Sequence, residues 1–412
     1  MSAGVVLSEE IQDGIICKGC SGKLQFVPGT NHLKCPSCGM ENEIAVSSEI
    51  IEEFDFEKFV NESGYQSEVQ EVAVINCPGC GAQTTFDPNV VSDACPFCGS
   101  PHVIKNATSS HRIKPKAILP FAIDQEKAYA DYRAWINKLK FVPNKFRKYA
   151  QQEGKLTGMY IPFWAYSANT QSYYTGGRGS DDSDSDSNGA QSGGSSDINR
   201  DNSFDDSAYA QKVIALKEKT EASMYTFTDY GLIVSKVLKY NLLSGEAEFK
   251  GHITEFYEEV LVFASKSLPK RYVEKLEPWH LKKLVPFNES YLIGFRTESY
   301  QVDLKEGFAD AKIKMFKKVE QAVKGAIGTK NPLIYLINTV YGNVKFQHFL
   351  LPVWISAYQF KGKTYRFMIN GHTGSIQGER PYSWIKLVLT IISIILGFVG
   401  FMWLLSLLVL KK

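Results

Sequence analysis

The chain predicts an α+β protein in three parts: two N-terminal zinc ribbons, a larger mixed α+β domain with a mainly antiparallel sheet, and one C-terminal transmembrane helix. Three observations carry that expectation. All eight cysteines fall into two identically spaced quartets: Cys17-x-x-Cys20 is followed after fourteen residues by Cys35-x-x-Cys38, and Cys77-x-x-Cys80 after fourteen by Cys95-x-x-Cys98. Further along, short runs rich in Tyr, Phe, Val and Ile accompany two stretches of helical periodicity. Finally, Leu387 to Leu410 carries no charge, and a helix of that length reaches roughly 36 Å against a hydrocarbon core of about 30 Å.

The quartets predict a ribbon over residues 1–48 and another over 71–104. Zn²⁺ takes four thiolates tetrahedrally, and a Cys-x-x-Cys turn presents two sulfurs to one ion. Pro after Cys35, Cys77 and Cys95, with Gly39, Gly81 and Gly99 after the second cysteine of each pair, suits a turn needing a fixed φ and then a positive one. Cys17-Lys18-Gly19-Cys20 lacks the Pro, which predicts a looser knuckle. Lys23 to Val27 and Gln83 to Phe86 supply ribbon strands. Disulfides are the other use of eight cysteines, but paired knuckles in a long chain without a signal peptide favour metal. Four thiolates leave no open coordination position, so both sites are expected to be structural, with iron the other metal that S₄ geometry suits.

Residues 49–70 join the ribbons and carry Phe54, Phe56 and Phe59 among acids. They read as a short amphipathic docking helix or as a solvated linker with a few buried aromatics. The expected partner-binding residues are these three and Phe97, which lies inside a knuckle and is expected to point outward.

Residues 112–383 make the α+β domain. Asp124 to Lys140 places Ala128, Tyr132, Trp135 and Leu139 on one helical face, and Asp310 to Ile327 does so with Ile313, Phe316, Val323 and Ile327. Met224 to Phe227, Val260 to Ala264, Phe349 to Tyr358 and Tyr365 to Ile369 read as strands, the last as a hairpin arm whose other arm ends near Phe360. Strands with segregated helices define the α+β class. Leu119-Pro120-Phe121, a helix and Tyr160 to Tyr166 are echoed by Val285-Pro286-Phe287, a helix and Leu351 to Tyr358. Duplication and chance recurrence explain that echo equally well. Gly176 to Asp206 is so rich in Gly, Ser, Asp and Asn that it predicts a disordered loop; its aspartates lack the EF-hand spacing.

Composition narrows the function. With 412 residues, 44% hydrophobic and 22% charged, the chain is long enough for a large core beside small modules. A net charge of +2 supplies no global field, so nucleic acid or anionic lipid would need a local patch. Met1 to Glu10 has no apolar signal region, so the bulk of the chain is expected to face the cytosol, single-pass at the cytoplasmic membrane through residues 386–410. Lys386, Lys411 and Lys412 flank the span on both sides and leave its orientation undecided by charge. Gly362-Lys363-Thr364 lacks the earlier Gly of a phosphate-binding loop, and no other catalytic motif is found. His32 and His102 lie near knuckles that already have four sulfurs; His280, His348 and His372 read as ordinary hydrogen-bonded residues.

The ordered set of tandem ribbons, Leu156 to Trp164, Leu350 to Ile355, Asn370-Gly371-His372-Thr373-Gly374 and one terminal span resembles a bacterial family of membrane-anchored zinc-ribbon proteins often labelled primosomal (replication-restart) helicases. The resemblance covers nearly the whole chain, which departs from the usual pattern in its Ser/Asp insertion. It implies association with flotillin-like (SPFH) and phage-shock-type membrane proteins, hence a non-enzymatic tail-anchored adaptor or scaffold. The alternative is a membrane-tethered nucleic-acid-binding protein without helicase activity. Against it, the first ribbon has only Lys18, Lys23 and Lys34, and Cys77 to His102 has no Lys or Arg.

Overall fold

The computed structural model of the chain describes residues 16–45, 47, 50–61, 68–77, 79–85, 92–98, 101–103, 108–147, 156–179, 225–228, 231–234 and 249–410. Ribbon 1 forms its own antiparallel sheet from β1 (Gln25–Phe26), β2 (His32–Lys34) and β3 (Glu41–Glu43). The connecting segment gives β4 (Phe54–Asp55) and α1 (Phe56–Asn61). Ribbon 2 and its flanks supply β5 (Val69–Asn76), β6 (Gln83–Thr85), β7 (Ser92–Ala94), β8 (Pro101–Val103) and β9 (Thr108–Ile113). Next come β10 (Ala117–Ile118), α2 (Gln125–Lys138), β11 (Thr157–Arg178), the hairpin β12 (Tyr225–Thr228) and β13 (Gly231–Val234), and β14 (Phe249–Phe263). The domain closes with β15 (Val285–Pro286), β16 (Arg296–Glu298), α3 (Leu304–Ile327), β17 (Pro332–Phe360), β18 (Lys363–Asn370) and β19 (Ile376–Gly378) before α4 (Trp384–Leu410).

Two long strands are the spine. β11 and β17 run antiparallel from Thr157↔Ile355 to Arg178↔Pro332. β14 and β16 flank β11, while β4, β10 and β18 flank β17. β10 on β17 and β16 on β11 are parallel pairs in an otherwise antiparallel sheet. Lys361 and Gly362 turn β17 into β18 with φ of 53° and 74°, the pair of positive values that a tight hairpin turn requires. The Gly-Lys-Thr here is therefore a hairpin turn and the start of a strand.

The domain contains a structural repeat; the strand half of the sequence echo keeps its register in it, Trp164 matching Trp354, and the Leu119-Pro120-Phe121 half does not. β10, α2, β11 and β14 repeat as β16, α3, β17 and β18. The parallel pairs join the two halves in matching fashion: Met159 pairs with Arg296 and Tyr160 with Thr297, as Phe349 does with Ala117 and Leu350 with Ile118. Both helices start on an aspartate cap, Asp124 accepting from Lys127 N and Asp303 from Glu306 N, which satisfies an otherwise unpaired first-turn donor. The Trp164 indole donates to Val302 O, and the Trp354 indole to Ile123 O, each at 2.9 Å. Each carbonyl lies just before the other half's cap. The counterpart of β10 is thus β16, and Val285-Pro286-Phe287 only lies beside it, pairing with β10 antiparallel.

Alternation along β11 sorts the core. Tyr160, Trp164 and Tyr166 face the helices; Met159, Ile161 and Phe163 face the layer containing ribbon 2 and Trp279. Helix α3 begins earlier than its periodicity predicts. Gly307 lies so close to the sheet that a Cβ there would meet the Tyr166 hydroxyl at 2.5 Å, and a position needing glycine adds nothing to an apolar stripe. Its buried face is Ala311, Met315, Phe316, Val319, Val323 and Ile327; Ile313, expected there, is 40% exposed. Gly176 to Arg178, expected to open the loop, instead complete β11. The remainder of that loop, 180–206, lies outside the described residues, as does Phe86.

Helix α4 is the one helix among the described residues long and apolar enough to cross a membrane. Trp384–Trp403 has mean hydropathy 2.4 and no part of it is buried. Its base is tied to the domain: Ser383 N donates to Phe141 O, and Lys386 Nζ donates to Val142 O and Asn144 Oδ1 at 2.8 Å.

Candidate metal centres

Both cysteine quartets close into clusters. Within each, the four sulfurs lie within 4.8 Å of one another. The shortest separations are 3.4 and 3.5 Å in ribbon 1 and 3.7 Å in ribbon 2. Those are far longer than the roughly 2.05 Å of a disulfide and close to the edge of about 3.8 Å that a tetrahedron with 2.3 Å metal–sulfur bonds would have. The donor sets fit two metal ions.

The knuckles are built by backbone geometry. In three of them the first cysteine's carbonyl accepts the amide four residues on: Ser21 to Cys17, Gly39 to Cys35 and Gly81 to Cys77, at 2.8 to 2.9 Å. The donor residue needs a positive φ, 77° at Gly39 and 73° at Gly81. In the first knuckle a serine takes φ 56° instead, a left-handed conformation that costs a non-glycine residue about 1 kcal/mol. That knuckle keeps the same hydrogen bond without Pro or Gly at the conserved-looking turn positions of its three counterparts.

Thiol environments differ inside ribbon 1 as well as between the ribbons: against the Gly22 amide, the neighbouring Cys35 and Cys38 push Cys20 up to about 12. Backbone amides of Cys38 and then Ser37 on the Cys35 sulfur outweigh burial and hold it down at about 6, as a thiolate. In ribbon 2 burial dominates, pushing Cys80 up to about 11 and raising Cys95 further. Cys20 and Cys38 are exposed, whereas Cys77, Cys95 and Cys98 are buried. Ribbon 1 docks through Phe26, whose ring meets Tyr291 edge-on at 5.2 Å and whose amide donates to Ile293 O. Ribbon 2 is spliced into the large sheet: β6 pairs with β16, Thr85↔Thr297 and Thr84↔Glu298.

The chain is similar to YdjG of Bacillus subtilis (strain 168), a protein described as uncharacterized. The two are 24% identical over 368 residues, which is 89% of each chain. No family profile matches the chain, and no solved structure matches it.

The four phenylalanines expected to face partners are turned inward. Phe97 has no exposed surface and lies among Cys77, Cys95 and Met368; Arg366 Nε donates to its carbonyl at 2.6 Å. Its knuckle faces the sheet rather than solvent, so the outward orientation expected of it is corrected. Phe54 and Phe59 pack on Phe346, and Phe56 on Phe308 and Tyr166. The connecting segment is thus a docking element, and what it docks on is its own domain.

Two features carried no sequence signal. Beneath ribbon 2, Glu298 is 1% exposed and accepts from Ser265 Oγ at 2.5 Å; burial raises its carboxyl to about 7 against those serine hydrogen bonds. Beyond the reach of ribbon 2, one face of the sheet carries exposed apolar side chains. Phe256 is 60% exposed, Val340 54% and Tyr173 44%. They sit on adjacent strands, with Asn169↔Phe256 and Gln171↔Val340 in register. His348, on the spine, is buried against Trp164 with Nδ1 3.0 Å from Ile113 O. Burial lowers it to about 4 and keeps it neutral.

Proposed function

We propose that this chain is a non-enzymatic, membrane-anchored zinc-ribbon adaptor that presents the exposed apolar row of its sheet to a protein partner. The observation that carries the reading is the row of Phe256, Val340 and Tyr173, exposed on three adjacent strands. Aromatic side chains on a rigid scaffold suit an interface core, where one anchor is worth a few kcal/mol. Zinc is the metal assigned to both clusters, since closed four-sulfur sites in a small β module are the habit of structural zinc. Thiolates that must stay reduced favour the cytosolic side of the cytoplasmic membrane. Flotillin-like and phage-shock-type membrane proteins are the candidate partners, on the resemblance given above.

Photo-crosslinking in membranes from position 254, exposed on the same face, with and without the added substitutions Phe256→Ser and Tyr173→Ser, tests it. Discrete adducts with a flotillin-like or phage-shock-type protein that the double substitution removes are expected. Salt-sensitive DNA or RNA binding, abolished by Lys18→Gln, Lys23→Gln and Lys34→Gln but indifferent to the aromatic pair, would replace the adaptor by the nucleic-acid reading. Lys34, for one, is already engaged with Glu41 at 2.9 Å. Elemental analysis of the purified chain decides between zinc and iron.

A further inference from the structure

The segment from Tyr132 to Gln152 has no Asp or Glu and six cations: Arg133, Lys138, Lys140, Lys145, Arg147 and Lys148. The net charge of the whole chain hides this local excess. In the fold, the end of α2 and the connection after it lie against the base of α4, and between them opens a cleft of about 550 Å³. Lys138, Lys140 and Arg147 line it from the domain side; Lys386, Leu389 and Thr390 line it from the helix.

We infer that this cleft binds the phosphate headgroup of an anionic phospholipid in the leaflet where α4 enters. The charges are uncompensated. Among the described residues none of the four cations has a carboxylate within ion-pair distance. Arg147 donates through Nη2 to Leu139 O, and its buried Nε has no partner. Lys386 spends two donors on neutral oxygens, Val142 O and Asn144 Oδ1, which leaves its charge intact and a third proton free.

Depth selects the ligand. Lys386 is the last charge before the apolar stretch and Leu389 lies one turn inside it, so with α4 inserted the cleft opens at the headgroup layer. A phosphate there meets ammonium and guanidinium groups, while Leu389 and Phe141, which also line the cleft, offer an acyl chain apolar contact. Basic pockets beside membrane helices recognise anionic headgroups in this way. The hydrogen bonds from Ser383 and Lys386 to residues 141–144 hold the two walls together before any lipid arrives, which lowers the ordering cost of binding.

The inference rests on α4 being membrane-inserted. The test reconstitutes the full chain into nanodiscs of equimolar phosphatidylglycerol and phosphatidylcholine and counts co-purifying lipid by native mass spectrometry. Retention of phosphatidylglycerol about tenfold above phosphatidylcholine is expected, and glycerol phosphate in solution should not compete. Lys138→Gln with Lys140→Gln, both exposed positions, should cut the preference several-fold, and adding Lys386→Gln should abolish it. Lys305→Gln with Lys317→Gln, exposed on α3, should leave it unchanged. Equal retention of the two lipids, or a preference that survives the triple substitution, overturns the inference while leaving the anchor standing. Competition by glycerol phosphate assigns the cleft to a soluble phosphate and also overturns it. A chain that does not enter nanodiscs at all overturns both the inference and the anchor.

Discussion

Ribbon 1 and ribbon 2 share one cysteine spacing and differ in nearly everything else. Ribbon 1 keeps a sheet of its own and exposes two of its four thiols, while Cys17, Cys35, Leu24, Phe26 and Leu33 belong to the core cluster that holds Phe121 and Tyr160. Ribbon 2 contributes β6 to the domain's sheet and sinks three of its thiols and Phe97 into the core. The spacing encodes the metal geometry alone. How far the rest of the protein depends on that metal is written in the residues around it, and ribbon 2, which shares a strand with the large sheet, is the more deeply joined of the two.

The largest expected effect tests this dependence. Cys77→Ser with Cys80→Ser and Cys17→Ser with Cys20→Ser should each lower the metal content from two ions to one. Only the ribbon 2 pair should pull down the domain, by roughly 4–5 kcal/mol or on the order of 10 °C in detergent, read from the buried indoles of Trp164 and Trp354. The ribbon 1 pair should cost less than half of that. Equal losses would break the comparison. Next in size is the residue between the two outer-knuckle cysteines. Phe97→Ala empties a closed site and should cost about 3–5 kcal/mol, whereas Ser37→Ala at the matching, exposed position of ribbon 1 should stay within about 0.5 kcal/mol. Chemical denaturation of both variants measures the contrast.

The smallest effect lies in the strand that carries ribbon 2. Glu298 has a carboxyl raised to about 7 by burial, so the unfolded chain loses this proton first, near pH 4.5. The stability it contributes is complete below pH 4.5 and drains away as pH rises to about 7. Glu298→Gln should abolish that slope and leave the variant more stable at pH 8 by about 1–3 kcal/mol. Denaturation midpoints across pH 5 to 8 that fall equally in both chains would show that the carboxyl does not titrate as its burial demands.

Which parts of this were legible in the sequence follows from how local each signal is. The knuckles, α2 and the hairpin at Lys361-Gly362 are set by residues within a few positions of one another, and the sequence states them. The splice of β6 onto β16 joins residues more than two hundred positions apart and leaves no trace in either segment. Phe97 shows the cost: a knuckle residue in isolation belongs outside, and only the sheet above it reverses that. The repeat is an intermediate case. Its true markers, two aspartate caps and two strand tryptophans, are common residues whose significance appears only once Trp164 and Trp354 are seen to reach across to each other's half. The basic stretch from Arg133 to Lys148 was visible all along, but its meaning depends on α4 standing next to it.

That crossed pair of indoles also locks the two halves together. A solitary β-α-β-β unit would carry one indole donor with nothing to receive it and one pre-cap carbonyl with nothing to give. A second copy turned by half a revolution supplies both at once. The present chain therefore has the bonding pattern of two such units related by a half-turn, and the equivalence stops at positions such as Leu119, whose counterpart in the other half is the buried Glu298.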